Sequence, residues 1–100
     1  MAEKGVKKND VQPGKLAVFE VGGNRVAVAN IGGTFHAFDD TCTHRQCSLA
    51  GGTVEGTTVT CPCHGSQFDV RTGAVLRPPA VQAVRSYRVR VEGDTLKIET

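Results

Sequence analysis

Apolar and polar positions alternate along most of the chain, in short runs that turn residues separate. Gly-Gly, Pro-Gly and Gly-Asp pairs recur at short intervals, which is typical of antiparallel β-structure. The β-rich runs between these turns cover residues 16–21, 25–31, 34–38, 57–61, 67–70, 84–91 and 95–99. No window has a convincing helical period. The pattern predicts an all-β fold, in which two antiparallel layers form a sandwich or partly open barrel.

Residues 1–100 are predicted to form a single domain, because their length suits one modest core. A smaller lobe over approximately 40–68 would stand on the β-base, and a proline-bearing loop at approximately 77–80 would cover it. The first ten residues have no strand pattern and are expected to be linker-like, with solvated lysines. The apolar positions that we expect inside the base are Phe19, Val28, Phe35, Val89 and Leu96.

Composition excludes several functional classes. The net charge is only +2, and the twelve Lys and Arg residues are spread along the chain, so the sequence offers no nucleic-acid footprint. The chain has no apolar run of the roughly 18–20 residues that a membrane span needs, and its N-terminus lacks the apolar core of a signal peptide. These features predict a cytoplasmic protein without a membrane partner.

Two short motifs carry candidate metal ligands: Cys42 with His44, and Cys61 with His64. Two thiolates and two imidazoles suit either one tetrahedral zinc or a [2Fe-2S] cluster. Zinc fingers usually group like ligands, whereas here each loop carries one ligand of each kind. Two mixed loops that meet would place both cysteines on one iron and both histidines on the other. A structural zinc module is the alternative.

The residues around these ligands resemble the Rieske iron–sulfur family, and the chain has the size of a Rieske-type ferredoxin. The first cluster loop would be Cys-Thr-His-Arg-Gln-Cys at 42–47, and the second Cys-Pro-Cys-His-Gly-Ser-Gln-Phe-Asp at 61–69. Arg71-Thr72-Gly73 and Pro78-Pro79 extend the similarity, which covers nearly the whole chain.

The resemblance implies one Rieske [2Fe-2S] cluster per chain. Cys42 and Cys61 would bind the inner iron, and His44 and His64 the outer, solvent-facing iron. Two ferric ions and two sulfides carry +2, which two thiolates cancel, so an electron enters a neutral oxidised site. The reduction potential should therefore lie in the Rieske range of about −150 to +300 mV, above that of plant-type ferredoxins.

Four further residues are expected around the cluster by the same resemblance. Ser66 matches a serine that donates its hydroxyl to a bridging sulfide in high-potential members, although it could instead satisfy its own turn. Phe68 stands where those members have a hydrogen-bonding tyrosine, so we expect an intermediate potential. Gly65 would let the backbone approach the cluster, or serve as a turn glycine. Pro78 lies in the loop that would cover the cluster.

Cys47 and Cys63 remain after ligation, and the family resemblance implies a disulfide between the two loops. A reducing cytoplasm argues against this bridge, and buried thiols are common core residues, so both states stay open. His36 is the third histidine, and its strand position between apolar neighbours favours a packing or surface role. Asp39 and Asp40 are expected to turn the chain into the first loop rather than to act as acids.

The predicted function is one-electron transfer from a reductase to an acceptor, which we expect to be an oxygenase. A Rieske oxygenase subunit needs a second iron held by two histidines and a carboxylate, and only one histidine would remain here. The chain is therefore expected to be an electron-transfer component rather than an enzyme. A small Rieske subunit of a larger oxidoreductase is the other alternative.

Overall fold

The computed structural model describes residues 2–43, 47–63 and 65–100. Within these ranges the chain forms ten strands in two antiparallel sheets, together with two single-turn 3₁₀ helices, Lys8–Asp10 and Leu49–Gly51. In this part of the chain there is no helix with the length and apolar character to span a membrane. The strands are β1 (Glu3–Lys7), β2 (Leu16–Val21), β3 (Asn24–Ile31), β4 (Thr34–Asp39), β5 (Thr53–Glu55), β6 (Thr58–Thr60), β7 (Gln67–Asp69), β8 (Val75–Arg77), β9 (Ser86–Glu92) and β10 (Thr95–Glu99).

The base is a six-stranded sheet with the order β1-β10-β9-β4-β3-β2. Two-residue turns close its hairpins, as between β2 and β3, where Val21 pairs with Asn24. Gly22 and Gly23 both have positive φ there, 58° and 84°. A two-residue hairpin turn of this kind needs positive φ at both positions, which is why the sequence places two glycines at this point.

Strand β3 is covered on both faces, since residues 26–30 are all buried. Val26 and Val28 face the interior of the base, whereas Ala27 and Ala29 face a second core that the base shares with the lobe. A strand that is covered on both sides typically has a continuous apolar sequence, as residues 26–29 do. The small alanines leave room on one side for the lobe to pack closely.

The lobe contains a four-stranded sheet with the order β5-β6-β7-β8. Val59 of β6 pairs with Phe68 of β7, and both side chains are completely buried in the shared core. This sheet continues to Arg77, beyond the boundary near 68 that the sequence pattern suggested. It brings the end of β6 close to the segment that follows β4, so that Cys61 and Cys42 lie in the same core.

The fold class predicted from the sequence, an antiparallel all-β fold, is confirmed. The expectation that the first ten residues are linker-like was wrong, because β1 pairs along its whole length with β10. The pattern also missed β5 and β8, which have only three residues each. Of the five apolar residues expected inside the base, Val28 and Leu96 are buried, and Phe19, Phe35 and Val89 pack partly buried against the same core.

Candidate metal centre

The first cluster loop leaves the end of β4 and is closed at its neck by backbone contacts. Thr41 forms a β-bridge with Ser48, and the Cys42 N–H donates to the Cys47 carbonyl oxygen at 2.8 Å. Cys42 is 1% exposed and belongs to the core shared by the base and the lobe. Core packing and the backbone contacts at the ends of the loop therefore hold Cys42, the first candidate thiol ligand, in place.

The second cluster loop follows β6 and turns tightly around Cys61. The Cys61 N–H donates to the Ser66 carbonyl oxygen at 2.8 Å, and the Gly65 N–H donates to the Cys61 carbonyl oxygen at 3.2 Å. Cys61 is buried in the same core as Cys42. Gly65 has a φ of 79°, which favours glycine, while no described atom lies within 4 Å of a Cβ built there. Its turn geometry alone therefore accounts for a glycine.

A disulfide joins Cys47 of the first loop to Cys63 of the second, with their Cα atoms 6.5 Å apart. The sulfur atoms of Cys47, Cys61 and Cys63 all lie within 4.8 Å of one another. The bridge thus holds the two loops against each other and places one candidate ligand beside it. The two candidate imidazole ligands, His44 and His64, lie outside the described residues.

The segment that connects β8 to β9, residues 78–85, packs against both loops and is called the proline segment below. Its Ala80 N–H donates to the hydroxyl oxygen of Ser66 at 3.0 Å, and both residues are buried. The Thr43 hydroxyl of the first loop donates to the Gln82 carbonyl oxygen at 2.7 Å. Ser66 therefore bonds to a residue far along the chain rather than only to its own turn.

The proline segment is also anchored to the turn between β7 and β8. The Val84 N–H donates to the Gly73 carbonyl oxygen at 2.9 Å, and a side chain at Gly73 would collide with the Val84 carbonyl oxygen. Gly73 has a φ of 84°. Pro78 is exposed at the start of the segment. These contacts connect the glycine of the Arg-Thr-Gly motif to the end of the proline segment.

The two aspartates that were expected to turn the chain into the first loop accept structural hydrogen bonds. The Tyr87 hydroxyl donates to the Asp39 carboxylate, and burial, followed by this bond, raises the pKa of Tyr87 to about 12. Asp40 is 1% exposed and accepts hydrogen bonds from Ser48 and Ala50, which follow the first cluster loop. The sequence pattern indicated only a turn at Asp40. Its position two residues before the candidate ligand Cys42 was the one sequence feature that pointed to a role in holding the first cluster loop.

His36 is half-buried on β4, in agreement with a packing role. Burial, and then the positive charge of Arg71, lower the pKa of His36, while the nearby Asp69 opposes this effect. Arg71 donates to both carboxylate oxygens of Asp69, at 3.1 and 2.9 Å, and these bonds hold the pKa of Asp69 below its usual value. We find no reason to place His36 among the metal ligands.

The model of the Rieske [2Fe-2S] domain matches residues 4–88 of this sequence. The chain belongs to the Rieske family. It is 38% identical over 90 residues to the ferredoxin component of biphenyl 2,3-dioxygenase from Rhodococcus jostii strain RHA1, a match that covers 90% of the chain and 84% of that relative. It is 39% identical over 85 residues to ferredoxin CarAc of Metapseudomonas resinovorans, with 84% and 79% covered.

Solved structures extend the comparison of this Rieske domain. The ferredoxin of carbazole 1,9a-dioxygenase from Nocardioides aromaticivorans IC177 superposes with a TM-score of 0.90 at 33% identity, covering 93% of this chain and 91% of that one. A chain from the complex of reduced oxygenase and oxidised ferredoxin in carbazole 1,9a-dioxygenase superposes with a TM-score of 0.86 at 34% identity, with 93% and 96% covered. The lobe and the proline segment fall inside residues 4–88, which the family model matches.

As a member of this family, the protein carries a Rieske-type [2Fe-2S] cluster, and its described residues fit that group. Two cysteine side chains outside the disulfide, Cys42 and Cys61, are buried at the base of two loops that the Cys47–Cys63 bridge holds together. Thiolate is the ligand that Fe–S clusters take from proteins, and buried sites of this kind limit access of water to the metal.

Proposed function

We propose that this Rieske domain is a one-electron carrier that accepts electrons from a reductase and delivers them to an oxygenase. The main support is the pair of disulfide-linked loops with two buried cysteines, which together offer a site for a cluster. The relative from Rhodococcus jostii is the ferredoxin component of biphenyl 2,3-dioxygenase, and one matched structure is a complex of oxygenase and ferredoxin. The chain is therefore an electron-transfer component.

Within this proposal the cluster ligands are Cys42, His44, Cys61 and His64. A [2Fe-2S] cluster with two thiolates and two neutral imidazoles is electrically neutral when oxidised and gains one negative charge on reduction. The cysteines are buried on the side of the protein core, so the imidazole pair would be the side open to partners. Because the buried thiolates anchor the cluster on one side only, electrons would leave through the imidazole side.

We further propose that four residues support the cluster without binding iron. Ser66 uses its hydroxyl oxygen to accept from the Ala80 N–H, so its own proton is available for a bridging sulfide. Phe68 contributes apolar cover from the core, Gly65 provides the tight turn, and Pro78 begins the proline segment that shields the site. One hydroxyl donor without a second tyrosine donor would give an intermediate potential.

The proline segment would also contribute to the surface that meets an oxygenase. Leu76 and Val81 are 53% and 88% exposed, and Ala80 next to Val81 is bonded to Ser66 of the second cluster loop. Exposed apolar side chains beside a functional site commonly mark a partner interface. Transient electron-transfer complexes bury little surface, so a small patch of this kind is sufficient.

Substitution of the proposed ligands is the direct test. Alanine at Cys42, His44, Cys61 or His64 should each abolish the visible absorption and the low average-g EPR signal of a Rieske cluster, because each iron has only two protein ligands. The wild-type protein should bind two irons and two sulfides and transfer electrons from a reductase to an oxygenase. Zinc in place of iron, or a retained Rieske signal in any of these variants, would contradict the proposal. Cytoplasmic location stays a prediction that cell fractionation can test.

A further inference from the structure

The carboxylate of Asp40 is buried directly below the first cluster loop. Its side chain is 1% exposed, and its two oxygen atoms have separate partners. Oδ1 accepts from the Ser48 hydroxyl at 2.9 Å and from the Ala50 N–H at 2.8 Å, and Oδ2 accepts from the Arg25 guanidinium at 3.2 Å. Charged side chains are rarely buried to this extent unless they are paired, because removal of a carboxylate from water costs several kcal/mol.

These bonds tie the two ends of the first cluster loop to the base. The Asp40 N–H donates to the Arg25 carbonyl oxygen of β3 at 3.0 Å, and the Asp40 carbonyl oxygen accepts from the Leu49 N–H at 2.6 Å. Ser48 directly follows the disulfide cysteine Cys47. A single aspartate therefore connects the residues that precede Cys42, the residues that follow Cys47, and strand β3 of the base.

The negative charge of Asp40 is only partly offset. Arg25, its ion-pair partner, has a side chain that is 56% exposed, so water and salt screen the field of the guanidinium. The carboxylate has almost no contact with water, so its field inside the protein is screened much less. At a cluster held by Cys42, two residues further along the chain, the pair should act as a net negative charge.

We propose that Asp40 is a positioning residue of the cluster site, and that its buried charge lowers the reduction potential of the cluster. It closes the neck of the first cluster loop and so fixes the position of Cys42. Its charge opposes the arrival of an electron, because the reduced cluster carries one more negative charge than the oxidised one. This inference rests on the proposed ligation by Cys42 and assigns Asp40 and Arg25 opposite effects on the potential.

The midpoint potentials of three variants of the cluster-loaded protein test this inference. Asp40→Asn removes the charge while its amide oxygen can still accept from Ser48 and Ala50, and should raise the potential. Arg25→Gln leaves the carboxylate unbalanced and should lower the potential, by less than Asp40→Asn raises it. Asp94→Asn is the matched control and should leave the potential unchanged. Asp94 lies in the turn between β9 and β10. Strand β9 begins at Ser86, which pairs with Phe38, and its seven residues span about 23 Å. The control residue is therefore at the end of β9 that is farthest from Phe38.

Redox titration followed by EPR gives these potentials together with the integrity of the cluster. Opposite shifts in Asp40→Asn and Arg25→Gln would support the proposal, since a purely structural clamp would not move the potential in opposite directions. Shifts of the same sign, or none in variants with an intact cluster, would overturn it. If Asp40→Asn fails to hold a cluster, Arg25→Gln decides the matter, and an unchanged potential there overturns the inference. Absence of a Rieske signal in the wild type would instead refute the proposed function.

Discussion

Ser66→Ala separates two roles of one hydroxyl group. In the structure the Ser66 oxygen accepts from the Ala80 N–H at 3.0 Å, and Ser66 and Ala80 are 0% and 2% exposed. In the proposed site the hydroxyl proton is donated to a bridging sulfide. Alanine removes both bonds and adds no bulk, so it should affect the stability of the protein and the potential of the cluster at the same time.

The magnitudes follow from the burial of both groups. A buried N–H that loses its only acceptor costs about 1–3 kcal/mol, which corresponds to a fall in Tm of about 4–8 °C for each kcal/mol in a domain of this size. The sulfide becomes more negative on reduction, so the hydrogen bond to it should strengthen by about 0.5–1 kcal/mol. Because 1.36 kcal/mol corresponds to about 59 mV for one electron, the potential should fall by about 20–45 mV.

Thermal unfolding and EPR-monitored redox titration measure the two effects on the same preparation. Thr43→Val is the matched control, because it removes another side-chain bond to the proline segment, from the Thr43 hydroxyl to the Gln82 carbonyl oxygen. It should lower the Tm but leave the potential nearly unchanged. An equal fall in potential in both variants would show that release of the proline segment, rather than loss of a donor to sulfide, changes the potential. An unchanged potential in Ser66→Ala would refute the proposed donor.

Three further predictions concern the surroundings of the cluster. Cys47→Ser should leave a cluster that loses iron faster in air, because the link between the loops is gone; failure to assemble any cluster at neutral pH would contradict this role. Phe68→Tyr should raise the midpoint potential by adding a donor to a cysteine sulfur, and an intact variant with the wild-type potential would speak against it. Val81→Asp should slow reduction of an oxygenase without changing the potential, since Val81 is 88% exposed; equal rates would remove Val81 from the interface.

Local patterns in the sequence determined the fold class. A period of two residues and paired glycines are signals within one strand or one turn, and they depend on no distant partner. Strands β2, β3, β4, β6, β7, β9 and β10 were therefore recognisable from the chain alone. The N-terminal strand β1 was not, because its sequence, Glu-Lys-Gly-Val-Lys, has one buried side chain, and the strand is held by backbone pairing to β10 at the opposite end of the chain.

The sequence also determined the candidate ligands, because thiolate and imidazole chemistry at short spacing is visible without coordinates. Only the tertiary structure brought the two loops together through Cys47 and Cys63, and only it showed that the Ser66 hydroxyl bonds to Ala80 and that Asp40 is buried with Arg25. The physical reason is that hydrogen bonds and burial of polar groups depend on which distant segments pack together. The type of residue determines which hydrogen bonds a side chain can form. The packing of the folded chain determines which of those bonds it does form.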